Sequence, residues 1–113
     1  MSPKPDRLTR RAEFLRVAGK GRKAVAPGLV LQALKRHDNR PTRLGFTVTK
    51  KVGIAVIRNR IRRRLKEAAR LELQEHPVEG ADLVLIGRET TRERDFAALR
   101  QDLRRTLTKT GIL

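Results

Sequence analysis

The sequence predicts a small α+β sandwich with the element order α-β-β-β-α-β-α. Three observations lead there. Residues 28–34 and 43–51 alternate with the period of two that a half-buried strand requires. Residues 55–73 and 96–107 repeat apolar side chains at the helical period. Between those helices, Ala81 to Ile86 is apolar on both faces, as suits a central strand covered on two sides. At 113 residues the chain is expected to form one domain, spanning 1–113, around a single core. Hydrophobic residues make up 38%, with three Phe and no Tyr or Trp, so that core must be mainly aliphatic.

Residues 1–6, MSPKPD, read as a loose basic tail with two prolines. Thr9 is placed to cap a helix over 10–18, which Gly19 and Gly21 end. Phe14 lies beside that helix's apolar stripe. It is either a core residue or a platform on which a base stacks. Residues 19–24, GKGRKA, form a basic loop. The strand from about Val25 to Arg36 points Leu29, Leu31 and Ala33 one way and Val30, Gln32 and Leu34 the other. The turn His37 to Pro41 is expected to join it as a hairpin to the strand 43–51. There, Leu44, Phe46 and Val48 form a buried face. Gly45, Thr47 and Thr49 form a small, hydroxyl-bearing face, either simply solvated or open to a close-approaching ligand. The third strand of the order allows for a break near 49–52.

A helix over 55–73 carries Ile57, Ile61, Leu65, Ala68 and Leu71 on one stripe, about 120° wide. Asn59, Arg62, Arg63, Lys66 and Arg70 fall on the opposite face. Arg58, Arg60 and Arg64 flank the stripe, where their stems can lie on apolar surface with the guanidinium outward. His76, Pro77 and Gly80 break the helix. The strand 82–87 then runs parallel to 43–51, because a helix of crossover length joins them. Thr90 to Glu93 is a capping box for the last helix, which reaches about Lys109 and ends at Gly111. Phe96, Leu99, Leu103 and Leu107 form its stripe.

The net charge is +16, and its distribution is one-sided. Residues 1–49 hold twelve cations against three acids, and residues 50–70 hold nine against one. Residues 71–113 hold seven cations against eight acids. An excess confined to the first 70 residues marks a binding face with an ordinary solvated region behind it. The stretch Lys50 to Arg70, KKVGIAVIRNRIRRRLKEAAR, is its centre, and its self-repulsion calls for a polyanion. The arginines are too dense to read base edges selectively and suit a lattice of phosphates. With no helix-turn-helix or zinc pattern visible, RNA is favoured over DNA. A membrane-surface helix would need its apolar face free, and here the core needs that face.

Several classes fall away. No cysteine is present, which excludes disulfides, zinc-thiolate sites and cysteine nucleophiles. No apolar leader is visible, and no apolar run is long enough to span a membrane. The two histidines, His37 and His76, both sit beside turn residues, where they read as solvated rather than as general bases. Only Asp6, Glu13, Asp38 and Glu67 precede Glu72, and no spacing pairs two of them as a metal clamp. No catalytic residue and no metal site is expected in this chain.

The run KKVGIAVIRNRIRRRL, with Arg58-Asn59-Arg60 five residues after Gly53, resembles the signature of the bacterial ribonuclease P protein subunit. The likeness extends through Arg7-Leu8-Thr9, Glu13-Phe14, the strand from Leu44 to Lys51, Asp82 to Ile86 and the closing leucine-rich helix. It implies a cytoplasmic RNA-driven enzyme. A catalytic RNA subunit, using Mg²⁺ held mainly by RNA and substrate, removes the 5′ leader of precursor tRNA. The protein assists, and no protein partner is implied. By the same resemblance Lys51, Arg58, Asn59, Arg60, Arg63 and Lys66 fall on positions that contact or orient RNA, and Lys50, Arg62 and Arg70 of the same basic stretch are expected to face the RNA subunit with them. Phe14, Ala18, Val30, Gln32 and Thr47 fall in a leader-binding cleft between the first helix and the open sheet face. The family also implies a left-handed crossover between the parallel strands.

Three positions depart from that pattern. Ala18 stands where a second helix aromatic is common, and Gln32 where a tyrosine is common. Ile54 replaces the usual asparagine after Gly53, which removes an obvious helix cap. Less stacking in the cleft implies weaker or less selective leader contact, carried mostly by phosphate. The alternative is a structural RNA-binding protein of the ribosome type, and a third reading is a nuclease in its own right. The RNA that copurifies separates the first two, and protein that cuts nothing without RNA dismisses the third.

Overall fold

The computed structural model describes residues 5–113, so the first four residues of the expected basic tail lie outside the described residues. The strands are β1 (Asp6–Arg7), β2 (Arg22–Val25), β3 (Leu29–Lys35), β4 (Arg43–Thr47) and β5 (Ala81–Gly87). The helices are α1 (Arg11–Lys20), α2 (Ala55–Glu75) and α3 (Phe96–Lys109). The expected order α-β-β-β-α-β-α holds, preceded by the two-residue β1. That short strand begins inside the stretch read as a tail. It exists because it pairs in parallel with β4, Asp6 opposite Arg43.

The third strand is not where the sequence suggested. Residues Lys50–Val52 form a 3-10 turn, and the extra strand is β2, inside the stretch read as a basic loop. Its alternation was hidden because only Ala24 is buried while Arg22, Lys23 and Val25 are exposed. β2 and β3 make the antiparallel hairpin, with Val25 opposite Val30.

The expected hairpin between β3 and β4 does not form. The sheet order is β1-β4-β5-β3-β2, with β5 inserted between the two strands. β5 is buried along nearly its whole length, and the centre of the sheet is the position that covers it on both faces and both edges. It pairs antiparallel with β3 and parallel with β4, as the helical crossover predicted.

α2 and α3 cover one face of the sheet. Leu29, Leu31 and Ala33 of β3 meet Ile61, Leu65, Leu99, Leu103 and Leu107 there. Leu44 and Phe46 pack against the same core. Ile61 and Leu65 are fully buried, and each such side chain contributes roughly 1.5–3 kcal/mol by leaving water. This packing outweighs the charge repulsion on the outer side of α2. The stripe is rotated toward the C-terminal end. Leu71 is half-buried, whereas Ala69, Glu72 and Leu73 are buried, because that end of α2 also packs on α3. α1 covers part of the other face, with Val17 and Leu8 packed on Val84.

Two caps differ from expectation. α1 starts after Arg10, not Thr9, and the Glu13 carboxylate accepts the Thr9 and Arg10 backbone N–H groups at 3.0 and 2.8 Å. α3 starts after Asp95, whose carboxylate accepts the Ala98 N–H. Thr90 and Thr91 lie in a 3-10 turn, Glu89–Arg92, and donate their hydroxyls to the carbonyls of Pro27 and Gly28. They pin the β2–β3 turn rather than cap a helix.

Candidate RNA-binding surface

α2 enters through a sharp turn after β4. Gly53 adopts φ 157 and ψ −173, a region essentially reserved for glycine, which lets the chain leave the 3-10 turn and start a helix at once. Ile54 is the residue before the helix and supplies no side-chain cap. The first-turn N–H groups of α2 therefore keep their partial positive charge, and no acid occupies that turn. Ile54 and Val56 are 69% and 67% exposed. The departure at Ile54 thus leaves an open, positively polarised helix start beside Lys50 and Lys51.

Along α2, Asn59, Arg60, Arg63, Lys66 and Arg70 are exposed, while Arg58 and Arg62 are half-buried. The acids of the chain sort these cations. Glu13 pairs with Arg43, Asp38 with Arg36, and Asp82 with both Arg36 and Arg43. Buried Glu72 takes Arg100 and Arg104, and buried Asp102 takes Arg94. Exposed Glu75, at the end of α2, also pairs with Arg100 and Arg104, and among the described residues the one ion pair within α2 itself is Glu67 with Arg70, at 2.5 Å. The hydrogen bond from Arg70 holds the Glu67 carboxyl below its usual value. Arg70, grouped in the sequence with the RNA-facing cations, is thus neutralised.

Arg64 is also removed from the surface set. Its guanidinium does not point outward but donates to the carbonyls of Thr91 and Arg92, each at 2.7 Å, and of Arg94. It straps the turn ahead of α3 to α2. Among the described residues, Lys50, Lys51, Arg58, Arg60, Arg62, Arg63 and Lys66 have no acidic partner. Arg62 donates to the Asn59 side-chain oxygen at 3.0 Å, which fixes the two together. The Lys66 ammonium stands 6.0 Å from the Phe46 ring centre, at the limit of a cation–π contact. The buried Nε of Arg58 has no hydrogen-bond partner.

The second feature is a cleft on the other sheet face. Hydrogen-bond register lines up Thr47, Ile86, Val30 and Val25 in one row across β4, β5, β3 and β2. Thr47, Ile86 and Val30 are half-buried and Val25 is 51% exposed, so α1 does not cover this row. The next row, Gly45, Val84, Gln32 and Lys23, lies partly beneath α1. At Gly45 the missing side chain is required, since a Cβ would stand 2.5 Å from Cε1 of Phe14. Phe14 therefore rests its ring edge on β4 and stays half-buried, so it is both packed and partly available. Glu13, held by Arg43, anchors that end of α1 to β4. Backbone hydrogen bonds from Arg10 and then Thr9 keep the Glu13 carboxyl low. Ala18, one turn after Phe14, is exposed and leaves the helix wall open.

Phe14, Val30, Gln32 and Thr47 are thus brought around one cleft, with Ala18 on its wall. Sequence reasoning missed Ile86 and Val25 in the floor. The two-sided apolar character of β5 signalled that alternate residues face each side, but only the register shows which row is uncovered.

Chemistry-bearing groups do not gather in that cleft. His37 is exposed in the turn after β3, at φ 62, and His76 ends α2. Glu72, Glu75 and His76 come within 4.8 Å of one another, but Arg100 and Arg104 occupy the two carboxylates. That neutralised group does not fit a divalent cation. Among the described residues, no helix is long and apolar enough to cross a membrane.

A family model described as Ribonuclease P matches residues 2–111. The chain is similar to the ribonuclease P protein component of Gluconacetobacter diazotrophicus, 63% identical over 112 residues, covering 99% of this chain and 97% of that one. It is 48% identical to the corresponding component of Paramagnetospirillum magneticum over 117 residues, covering 100% and 88%. Among solved structures, the RNase P protein from Thermotoga maritima superposes with a TM-score of 0.75 at 27% identity, covering 96% of this chain and 97% of that one. The Staphylococcus aureus RNase P protein shares the fold, with a TM-score of 0.77 at 24% identity and coverage of 96% and 98%. By sequence and by fold the chain belongs to the ribonuclease P protein family, as the protein component of that endoribonuclease.

Proposed function

We propose that the unpaired cationic face of α2 binds the RNA subunit of ribonuclease P, and that the cleft between α1 and the sheet holds the 5′ leader of precursor tRNA. One observation carries this reading. The acids of the chain neutralise Arg36, Arg43, Arg70, Arg94, Arg100 and Arg104, and among the described residues leave the α2 face of Lys50, Lys51, Arg58, Arg60, Arg62, Arg63 and Lys66 without a carboxylate. A set of like charges on one face is stable when phosphates take the place of the missing acids. Arginine adds two-pronged geometry toward phosphate oxygens. The uncapped start of α2 adds backbone N–H groups to the same face.

Chemistry on the phosphodiester belongs to the RNA, with Mg²⁺ held by RNA and substrate in the cytoplasm. This chain supplies charge and position. The cleft offers aliphatic side chains and one half-buried ring, Phe14, so it grips a single strand loosely. No further protein subunit is required for either role.

The test is the Mg²⁺ dependence of cleavage by holoenzyme carrying Arg58→Ala and Arg60→Ala. Loss at low Mg²⁺ with recovery at high Mg²⁺ is expected, because the ion then replaces protein charge. Equal loss at every Mg²⁺ concentration would overturn the charge-compensation role.

A further inference from the structure

A second group of cations lies away from α2. β2 opens with Arg22, immediately after α1 ends at Lys20, and β3 ends with Lys35. Arg22 is opposite Ala33, so Arg22, Ala33 and Lys35 share the sheet face that carries α3. α3 ends beside them. Its chain turns at Gly111 with φ 80, a left-handed conformation that glycine adopts freely. Arg22 Nη1 is 3.6 Å and Lys35 Nζ 4.0 Å from the point a Cβ on Gly111 would occupy. Both positive nitrogens thus lie within 4.0 Å of one point beside this turn.

That volume opens into a cavity of about 360 Å³ lined by Lys20, Arg22, Lys35, His37, Thr110 and Ile112 among others, with no acid in its wall. Among the described residues, Lys20, Arg22 and Lys35 make no ion pair. The nearby Asp38 is taken by Arg36. Glu79 lines the adjoining pocket with Lys35 without pairing to it, and the end of α3 carries only a partial negative charge, so the three cations stay in excess and mark an anion subsite. The sheet register separates it from the start of α2. Lys35 pairs with Ala81 at the beginning of β5, whereas α2 begins after the end of β4, beside the end of β5.

We propose that Arg22 and Lys35, supported by Lys20, form a second phosphate-binding site that takes a backbone phosphate of RNA at the opposite end of the sheet from the start of α2. The owner of that phosphate rests on the RNA-binding function proposed above; the phosphate chemistry does not. Protein and RNA are then held at two separated points, which fixes orientation as well as affinity.

The first experiment titrates inorganic phosphate into the protein at constant ionic strength and follows backbone amide shifts by NMR. Saturable shifts at Lys35 and Gly111 are expected. They should vanish in the Arg22→Gln, Lys35→Gln variant and persist in Arg60→Gln, Arg63→Gln. Shifts absent at Gly111, or unchanged in the Arg22→Gln, Lys35→Gln variant, would overturn the site. The second follows acetylation of Lys20 and Lys35 in the reconstituted holoenzyme. Protection by the RNA subunit alone assigns the phosphate to that RNA, and protection appearing only with precursor tRNA assigns it to substrate. Protection by neither overturns the assignment to RNA. For two lost contacts the salt dependence of log affinity should fall by about 1.4–1.8. Failure of the Arg58 and Arg60 test would remove the function proposed above while leaving the phosphate titration readable.

Discussion

Glu67→Gln should strengthen RNA binding, although its partner Arg70 lies outside the set of cations proposed to meet RNA. In the folded protein Glu67 holds Arg70 at 2.5 Å, one turn beyond the unpaired cations of α2. Removing the carboxylate leaves Arg70 free to neutralise a phosphate. One added phosphate contact steepens the dependence of log affinity on log salt by about 0.7–0.9. At ~0.15 M salt that corresponds to roughly four- to fivefold tighter binding relative to a screened reference near 1 M. The loss to the fold is small, because both side chains are about half exposed and the pair is screened by water. The assay is a salt series of RNA-subunit affinity for wild type, Glu67→Gln and Arg63→Gln. Arg63→Gln should move the slope the opposite way by a similar amount, since Arg63 has no acid to release. An unchanged slope in Glu67→Gln, or weaker binding, would refute the idea that ion pairing decides which cations meet RNA.

Three further outcomes follow from the same geometry. Ala18→Phe should tighten precursor tRNA with a long leader relative to a short one, since one base stacked on an aromatic contributes roughly 1–3 kcal/mol; equal affinities for both substrates would count against the leader cleft. Gly45→Ala should push Phe14 off β4, because its Cβ would stand 2.5 Å from the ring, at a cost of about 1–3 kcal/mol in stability; leader discrimination should weaken while RNA-subunit affinity holds. Asp82→Asn should cost about 3 kcal/mol near neutral pH by leaving Arg36 and Arg43 without their shared buried carboxylate. Burial pushes the Asp82 carboxyl up, but hydrogen bonds from Arg43 and then Arg36 outweigh it and hold it below its usual value. A lowered folded-state value contributes stability above the unfolded value of about 4 and loses it as pH falls through the folded value. Acid unfolding curves should therefore be shallower in the variant, without becoming flat, because Glu13, Asp38, Glu67 and Glu75 are also held low.

The sequence by itself determined the features that are local or periodic. The stripe Ile57, Ile61, Leu65 and Ala68, the cationic opposite face, the two-sided strand at 81–86 and the missing cap at Ile54 all follow from residue order. So does the parallel relation of β4 and β5, because a helix of that length between two strands forces a crossover. The sequence of Arg58, Asn59 and Arg60 at the start of that helix is likewise read directly from residue order.

What tertiary structure decided is which strands meet and which charges cancel. The β3–β4 hairpin suggested by a short turn gave way to β5, since pairing along a sheet is settled by burial rather than proximity in sequence. β1 has two residues and no signal of its own, and only β4 makes it a strand. Arg64 looked like every other arginine of α2 until the carbonyls of Thr91, Arg92 and Arg94 arrived beside it. Arg22 and Lys35 are thirteen residues apart in the chain and come to lie beside the end of α3 only in the folded sheet. Charge is written in the sequence, but its cancellation depends on distance, and distances between remote residues exist only in the folded chain.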